Sequence, residues 1–244
     1  AVPLCAGVKA TLRAFLAEIG TSRWALLPWL DRLQLLRREW AEMLQAQAQR
    51  FGTLLHPAVF FAELKKYLPP NALYAWDGGD FVHWGRCMLP ALRAGGWMRL
   101  GPLGAIGSAL PHCLALKLAH PNDPVLMFTG DGSLGFYLAE LDTAVRHGLP
   151  VIVVIGNDSG WGLERELQKA SGGASVACEL RRTRYEMIMS GFGGEGEVVD
   201  DLAQVRPAIA RALQSRVPYC LNVVIRGSRS PFTDWQIAAR KVGN

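Results

Sequence analysis

Residues 130–157 read GDGSLGFYLAELDTAVRHGLPVIVVIGN. An apolar run, 125–128, leads into Gly130-Asp131-Gly132-Ser133, a helical pattern follows over 138–147, and a second apolar run, 151–155, ends at Asn157. Apolar run, glycine-rich turn, helix and apolar run make a βαβ unit of a parallel sheet. Polar residues at the carboxyl ends of both strands then lie side by side, where open α/β sheets bind ligands. Glycine lets the backbone approach a phosphate closely, and a helix beginning after Ser133 points its free N–H groups at it. Asp131 and Asn157 offer hard oxygen ligands, which Mg²⁺ takes in octahedral geometry, usually one or two from the protein together with substrate phosphates. An EF-hand loop is the competing reading of an Asp-Gly-rich turn, but Gly135 and Tyr137 fall where that loop needs oxygen ligands.

Outward from this unit the alternation of strand and helix continues. Residues 57–68 have a helical pattern, 72–76 form a strand ending in Asp77-Gly78-Gly79, and 105–118 form a helix opened by the glycines of 101–104. Downstream, 160–170, 184–191 and 202–213 read as helices and 221–225 as the last apolar strand. Strands alternating with helices imply an α/β fold, a parallel sheet with helices on both faces. Upstream, 8–19 reads as a helix after a strand remnant at Val2-Pro3-Leu4. A long helix then carries Leu30, Leu33, Leu36, Trp40, Met43 and Leu44 at helical spacing, with Thr21 or Ser22 as its cap and Pro28 early in it. The expected organisation is the end of a truncated central domain at 1–20, a connector helix at 21–55, the ligand-binding domain at 56–226 and a carboxyl-terminal tail at 227–244.

The chain has 244 residues, half of them hydrophobic, and a net charge of +5. That suffices for one large domain, or one domain with an appendage. Basic residues are scattered apart from Arg181, Arg182 and Arg184 and the group Arg226, Arg229, Arg240 and Lys241, and a nucleic-acid patch is not evident. Five cysteines without a C-x-x-C spacing argue against a disulfide framework or a zinc site and suit a reducing cytoplasm. No signal peptide and no membrane-spanning apolar run are visible.

The G-D-G-S motif with an asparagine some two dozen residues later resembles the cofactor motif of thiamine-diphosphate enzymes. Gly101-Pro102-Leu103-Gly104-Ala105-Ile106-Gly107 is similar to that family's glycine-rich segment, and Tyr185-Glu186-Met187-Ile188-Met189-Ser190-Gly191-Phe192-Gly193-Gly194 to its later helix and turn. The resemblance is to the carboxyl-terminal, diphosphate-binding domain of the acetolactate-synthase-like group. L-D-T-A-V-R-H-G-L-P-V and N-D-S-G-W-G lean toward benzaldehyde lyase and the 2-hydroxyacyl-coenzyme A lyases or oxalyl-coenzyme A decarboxylases.

The resemblance implies thiamine diphosphate and Mg²⁺ as cofactors. The metal would be held by Asp131, Asn157 and the carbonyl of Ser159. Gly130, Gly132, Ser133, Gly78 and Gly79 would surround the diphosphate. Ile106 would be the apolar wedge that bends the cofactor, and the Gly104 carbonyl and Ile106 N–H would hold the aminopyrimidine. Trp161, Leu163 and Gln168 would border the substrate. The chemistry implied is cleavage or formation of C–C bonds next to a carbonyl by a lyase, decarboxylase or carboligase, on a keto or hydroxy-carbonyl substrate, with a coenzyme A thioester among the candidates. The activating glutamate belongs to a pyrimidine-binding domain of the same protein or a partner chain, so no catalytic residue is assigned here. A homodimer or homotetramer follows from the same likeness. The alternative is a non-catalytic cofactor-binding or regulatory subunit. The missing glutamate and Asp80 favour it, the latter because a carboxylate facing a diphosphate repels it. His83 and His112 are weaker acid–base candidates, because histidine titrates near neutrality.

Overall fold

The computed structural model describes residues 3–21, 27–49 and 55–242, and the chain falls into two units, Ala1–Met43 and Leu44–Asn244. The first unit holds α1 (Val8–Ile19) and most of α2 (Leu27–Gln49). α1 stops at Gly20, whose φ of +53° lies in the region that favours glycine, and whose N–H bonds the carbonyl of Leu16. The expected strand remnant has no counterpart at Pro3 and Leu4, while Val2 lies outside the described residues. Thr21 sits in a turn, and the other expected cap, Ser22, also lies outside them.

The second unit carries, in chain order, α3 (Pro57–Leu64), β1 (Leu73–Trp76), α4 (Asp80–Met88), β2 (Trp97–Arg99), α5 (Ala109–Ala119), β3 (Val125–Gly130), α6 (Asp131–Leu134) and α7 (Glu140–Arg146). There follow β4 (Ile152–Asn157), α8 (Gly162–Ala170), α9 (Tyr185–Gly191), β5 (Glu195–Val199), α10 (Leu202–Gln214), β6 (Tyr219–Val224) and α11 (Pro231–Val242). The six strands form one sheet in the order β2-β1-β3-β4-β6-β5, and every pairing is parallel. The four inner strands are near-continuous apolar runs because a parallel sheet is covered on both faces. Alternate residues divide between two cores. Tyr74, Trp76, Phe128, Val154 and Leu221 pack with α3, α4 and α10, and Ala75, Met127, Val153, Ile155 and Cys220 pack with α5, α7 and α9.

Several boundaries differ from the sequence reading. α5 begins at Ala109 rather than 105, because 101–108 stay in turns with Gly101, Gly104 and Gly107 all at positive φ. The helix after Ser133 is split into the single turn of α6 and the separate α7. The edge strands β2 and β5, the helix α4 and the terminal helix α11 were not expected. α4 contains Gly85, where a Cβ would come within 2.6 Å of both the Phe61 and Trp76 rings. Close crossing, rather than helix propensity, therefore selects that glycine. Among the described residues no helix is long and apolar enough to cross a membrane.

The connections place a ligand site. β1 passes its chain to α4 on one face, and β3 passes its chain to α6 and α7 on the other. Neighbouring strands whose connections leave to opposite faces open a crevice at their carboxyl ends, the topological switch point of an open α/β sheet.

Candidate functional site

A cleft of roughly 610 Å³ opens at that switch point. It is bordered by Gly78 and Gly79 after β1, by Gly130, Asp131, Gly132 and Ser133 at the end of β3, by Ile106 from the 101–108 loop, and by Trp161 and Leu163 beyond β4. Nine of the thirteen sequence-derived site residues thus share one wall-to-wall space. Asn157 and Ser159 stand behind it, on the β4 side. Gly104 lies on an exposed turn with φ +62°. Gln168 turns away, donating to the Val176 carbonyl at 3.3 Å and accepting from the Val176 N–H at 2.7 Å.

The glycines are there for room. A Cβ at Gly78 would lie 2.7 Å from Cγ2 of Ile106 and 3.6 Å from Oγ of Ser133. At Gly132 it would come within 2.8 Å of the Trp161 ring, which in turn meets Phe136 edge-on with centroids 6.0 Å apart. The backbone N–H groups at the start of α6 lack intrahelical partners, as first-turn groups do, and those of Asp131 and Gly132 act on the Asp131 carboxyl.

Two aspartates at these strand ends, Asp77 and Asp131, each keep one buried oxygen without a hydrogen-bond partner, and Asp131 is the one that borders the cleft. Its Oδ2 accepts from the Gly160 N–H at 3.0 Å, but its Oδ1 is buried with no hydrogen-bond partner. Burial, with the nearby Asp158 charge adding to it, pushes the carboxyl up to about 7. A buried carboxylate oxygen without a partner is costly, and a bound cation relieves that cost. Asn157 is fully buried and directs Oδ1 to the Ser159 N–H at 3.2 Å. Ser159 adopts φ +58°, a conformation non-glycine residues take rarely, and its carbonyl accepts from Leu180 at 2.8 Å with one lone pair left over. One carboxylate oxygen, one amide oxygen and one carbonyl form a hard-oxygen set of the kind Mg²⁺ accepts beside phosphate oxygens. No group of three or more His, Cys, Asp or Glu able to hold a metal by itself occurs among the described residues.

Asp77 was overlooked as more than part of a turn. Its Oδ1 accepts from the Gly78 N–H at 2.8 Å and the Gly107 N–H at 2.9 Å. It therefore ties the 101–107 loop to the end of β1 and seats Ile106 against Gly78. The cue was present, since Asx side chains commonly bond backbone amides in turns, but the partner thirty residues away was not readable.

Asp80 borders the cleft, but its carboxylate is engaged by the terminal segment. Its Oδ1 accepts from the Ser230 N–H at 2.9 Å and from Oγ1 of Thr233 at 2.5 Å, at the start of α11. His83 packs its ring against Phe232, with Nδ1 3.4 Å from Oγ of Ser230. Burial, then the Arg86 and Arg99 charges, push its pKa down to about 3. Neither His83 nor His112 borders the cleft.

The sequence matches the family described as "Thiamine pyrophosphate enzyme, C-terminal TPP binding domain" over residues 77–223, more than half of the chain. The acetolactate synthase large subunit of Mycobacterium tuberculosis is 37% identical over 227 residues, which cover 91% of this chain and 41% of that protein. Human 2-hydroxyacyl-CoA lyase 2 is 30% identical over 216 residues, covering 86% of this chain and 34% of that one. Among solved structures, the thiamine diphosphate-dependent 4-hydroxybenzoylformate decarboxylase of Rhodococcus jostii superposes with a TM-score of 0.68 at 23% identity, over 74% of this chain and 34% of that one, a likeness of fold. The chain spans 41% or less of the length of these relatives.

Proposed function

The chain belongs to the thiamine pyrophosphate enzymes, as their C-terminal cofactor-binding domain, and on that premise we propose that it is the diphosphate- and Mg²⁺-holding part of an enzyme that makes or breaks C–C bonds next to a carbonyl. The observation that carries this reading is Oδ1 of Asp131, buried without a partner at the carboxyl end of β3. Asp131, Oδ1 of Asn157 and the Ser159 carbonyl would hold the metal. The backbone of Gly132 and the backbone and hydroxyl of Ser133 would donate to the diphosphate, with Gly78, Gly79 and Gly130 leaving space for it. Ile106, steadied by Asp77, would press on the bend of the cofactor, and the Gly104 carbonyl and Ile106 N–H would meet its aminopyrimidine. When bound, thiamine diphosphate supplies a nucleophilic carbon for the substrate carbonyl and a ring that takes up the electron pair of the broken bond.

The substrate in this reading is a keto or hydroxy-carbonyl compound. A relative that is an acyl-CoA lyase keeps a coenzyme A thioester in view. Trp161 and Leu163 would border it, while Gln168 would act by bracing the 171–178 loop. The activating glutamate would come from a pyrimidine-binding domain, of this protein or of a partner subunit in a homodimer or homotetramer. Residues 1–20 would close a central domain, 21–55 connect, 56–226 bind cofactor, and 227–244 form the terminal segment that contains α11. Five free cysteines suit a cytoplasmic setting. The regulatory-subunit reading draws on Asp80 and on the activating glutamate lying in another domain; the bonds from Ser230 and Thr233 to Asp80 weigh against the first of these.

The test is Asp131→Ala in the complete protein, with thiamine diphosphate binding followed by calorimetry in Mg²⁺ buffer. The expected result is a loss of about 100-fold or more in affinity with the circular dichroism unchanged, because a direct ligand matters at least as much as the outer partners whose loss costs about 10- to 100-fold. Unchanged affinity would overturn the metal assignment.

A further inference from the structure

Behind the cleft, side chains that do not border it form a polar file beneath β4 and β6. Asn157 and Asn222 lie on the same face of these neighbouring strands, with Ile155 opposite Asn222 in register. Both are buried, as is Glu186 at the start of α9. Nδ2 of Asn157 donates to Oδ1 of Asn222 at 3.0 Å and to the Thr183 carbonyl at 3.0 Å. Nδ2 of Asn222 donates to Oε2 of Glu186 at 2.7 Å and to the same Thr183 carbonyl at 3.2 Å. Glu186 is closed off by Nε of Arg184 at 2.8 Å.

The file has a direction. An ionised carboxylate only accepts hydrogen bonds, so Asn222 must turn its amide nitrogen to Glu186 and its oxygen to Asn157. Asn157 must then turn its own nitrogen inward, because an oxygen there would face Oδ1 of Asn222 and the Thr183 carbonyl. Its oxygen is left on the side of Ser159. A flipped Asn157 would present two N–H donors where a cation is to be held.

We propose that Glu186 and Asn222 are positioning residues that lock the side-chain amide of Asn157 with its oxygen toward the metal. The inference rests on the cofactor-domain reading above and adds to it the device that fixes the ligand's orientation. Outer partners of this kind typically change metal affinity about 10- to 100-fold.

The experiment is a Mg²⁺ titration of the complete protein at saturating thiamine diphosphate, reading the half-saturating Mg²⁺ concentration by protein fluorescence. Asn222→Leu is expected to raise it by about 10- to 100-fold. The decisive measurement is the double-mutant cycle with Asn157→Asp. An aspartate presents an oxygen in either orientation and needs no lock. In that background Asn222→Leu should leave the Mg²⁺ requirement unchanged or lower it, since it removes an oxygen facing the new carboxylate. Penalties that simply add would assign the file a packing role and overturn the proposal, as would an unchanged requirement in Asn222→Leu alone. The shape-conserving Glu186→Gln carries the same test if Asn222→Leu fails to fold: a severalfold rise that vanishes with Asn157→Asp is expected, and no rise overturns it. Asp131→Ala separates the two readings. If it abolishes Mg²⁺-dependent binding while the file variants do not alter it, the lock alone fails. If it too has no effect, the metal site itself is misassigned.

Discussion

The turns that follow β1 and β3 stand side by side at the carboxyl end of the sheet, and each carries an aspartate just after a glycine. Asp80 follows Gly79 and Asp131 follows Gly130. Both are buried and both have raised pKa values, mainly from burial. Their partners differ. Oδ1 of Asp80 is met by a backbone N–H and a hydroxyl from the α11 segment, whereas Oδ1 of Asp131 has no hydrogen-bond partner among the described residues. One carboxylate oxygen is engaged by the fold, and the other is the one the proposed reading gives to a metal. Residue type and position along a strand do not separate the two roles, but hydrogen-bond satisfaction does.

Exchanging the two roles by mutation puts the comparison at risk. The largest effect is expected from Asp131→Ala, which should cost mainly cofactor affinity: its apo form should lose less stability than Asp80→Ala, since the Gly160 N–H loses its acceptor but a costly unpaired oxygen goes with it. Asp80→Ala should do the reverse, lowering stability by about 2–3 kcal/mol in urea denaturation as buried donors on Ser230 and Thr233 lose their acceptor, with Mg²⁺-dependent cofactor binding retained. Equal losses of stability from the two changes would erase the distinction.

A smaller effect comes from pH. His83 packs beside Ser230 with its pKa at about 3, against 6.5 in the unfolded chain. Below pH 6.5 the unfolded chain takes up a proton that the folded one refuses, so stability falls as pH drops from 6.5 toward 3. Between pH 6.5 and 5 that amounts to about 2 kcal/mol at most. Denaturation at pH 7 and pH 5 should show the fall, and His83→Gln should lessen it. The smallest effect is expected from Gly78→Ala. Its methyl group meets Ile106 across the cleft at 2.7 Å, and a shift of that side chain should weaken thiamine diphosphate binding about 10-fold, or 1.4 kcal/mol, with little change in melting temperature. Undiminished affinity would mean that Ile106 does not set the cleft width.

Much of the fold was readable because its inner strands are buried on both faces. The runs 125–128 and 151–155 are apolar without interruption, and the helix between them has the right length for a crossover. The edges were not readable. β5 reads Glu-Gly-Glu-Val-Val, with one fully buried residue, and β2 has three residues, so neither carries a clear pattern. α4 hides behind Gly85, whose reason lies in the Phe61 and Trp76 rings rather than in its own segment. At the site, the glycines and Asp131 announced themselves by motif. The direction of the Asp80 carboxylate depends on a residue 150 positions away, and the orientation of Asn157 on one 65 positions away. Local sequence carries no trace of either.

The anchoring of α11 on Asp80 gives the end of the chain an electrostatic duty. The bonds from Ser230 and Thr233 hold one oxygen of a carboxylate that stands on the border of the cleft. A chain cut before Ser230 would free that carboxylate to swing toward the glycines it follows, and the cleft would become more repulsive to phosphate. The last helix therefore works as an insulator for the loop after β1, and its effect on ligand affinity should fade as salt is raised.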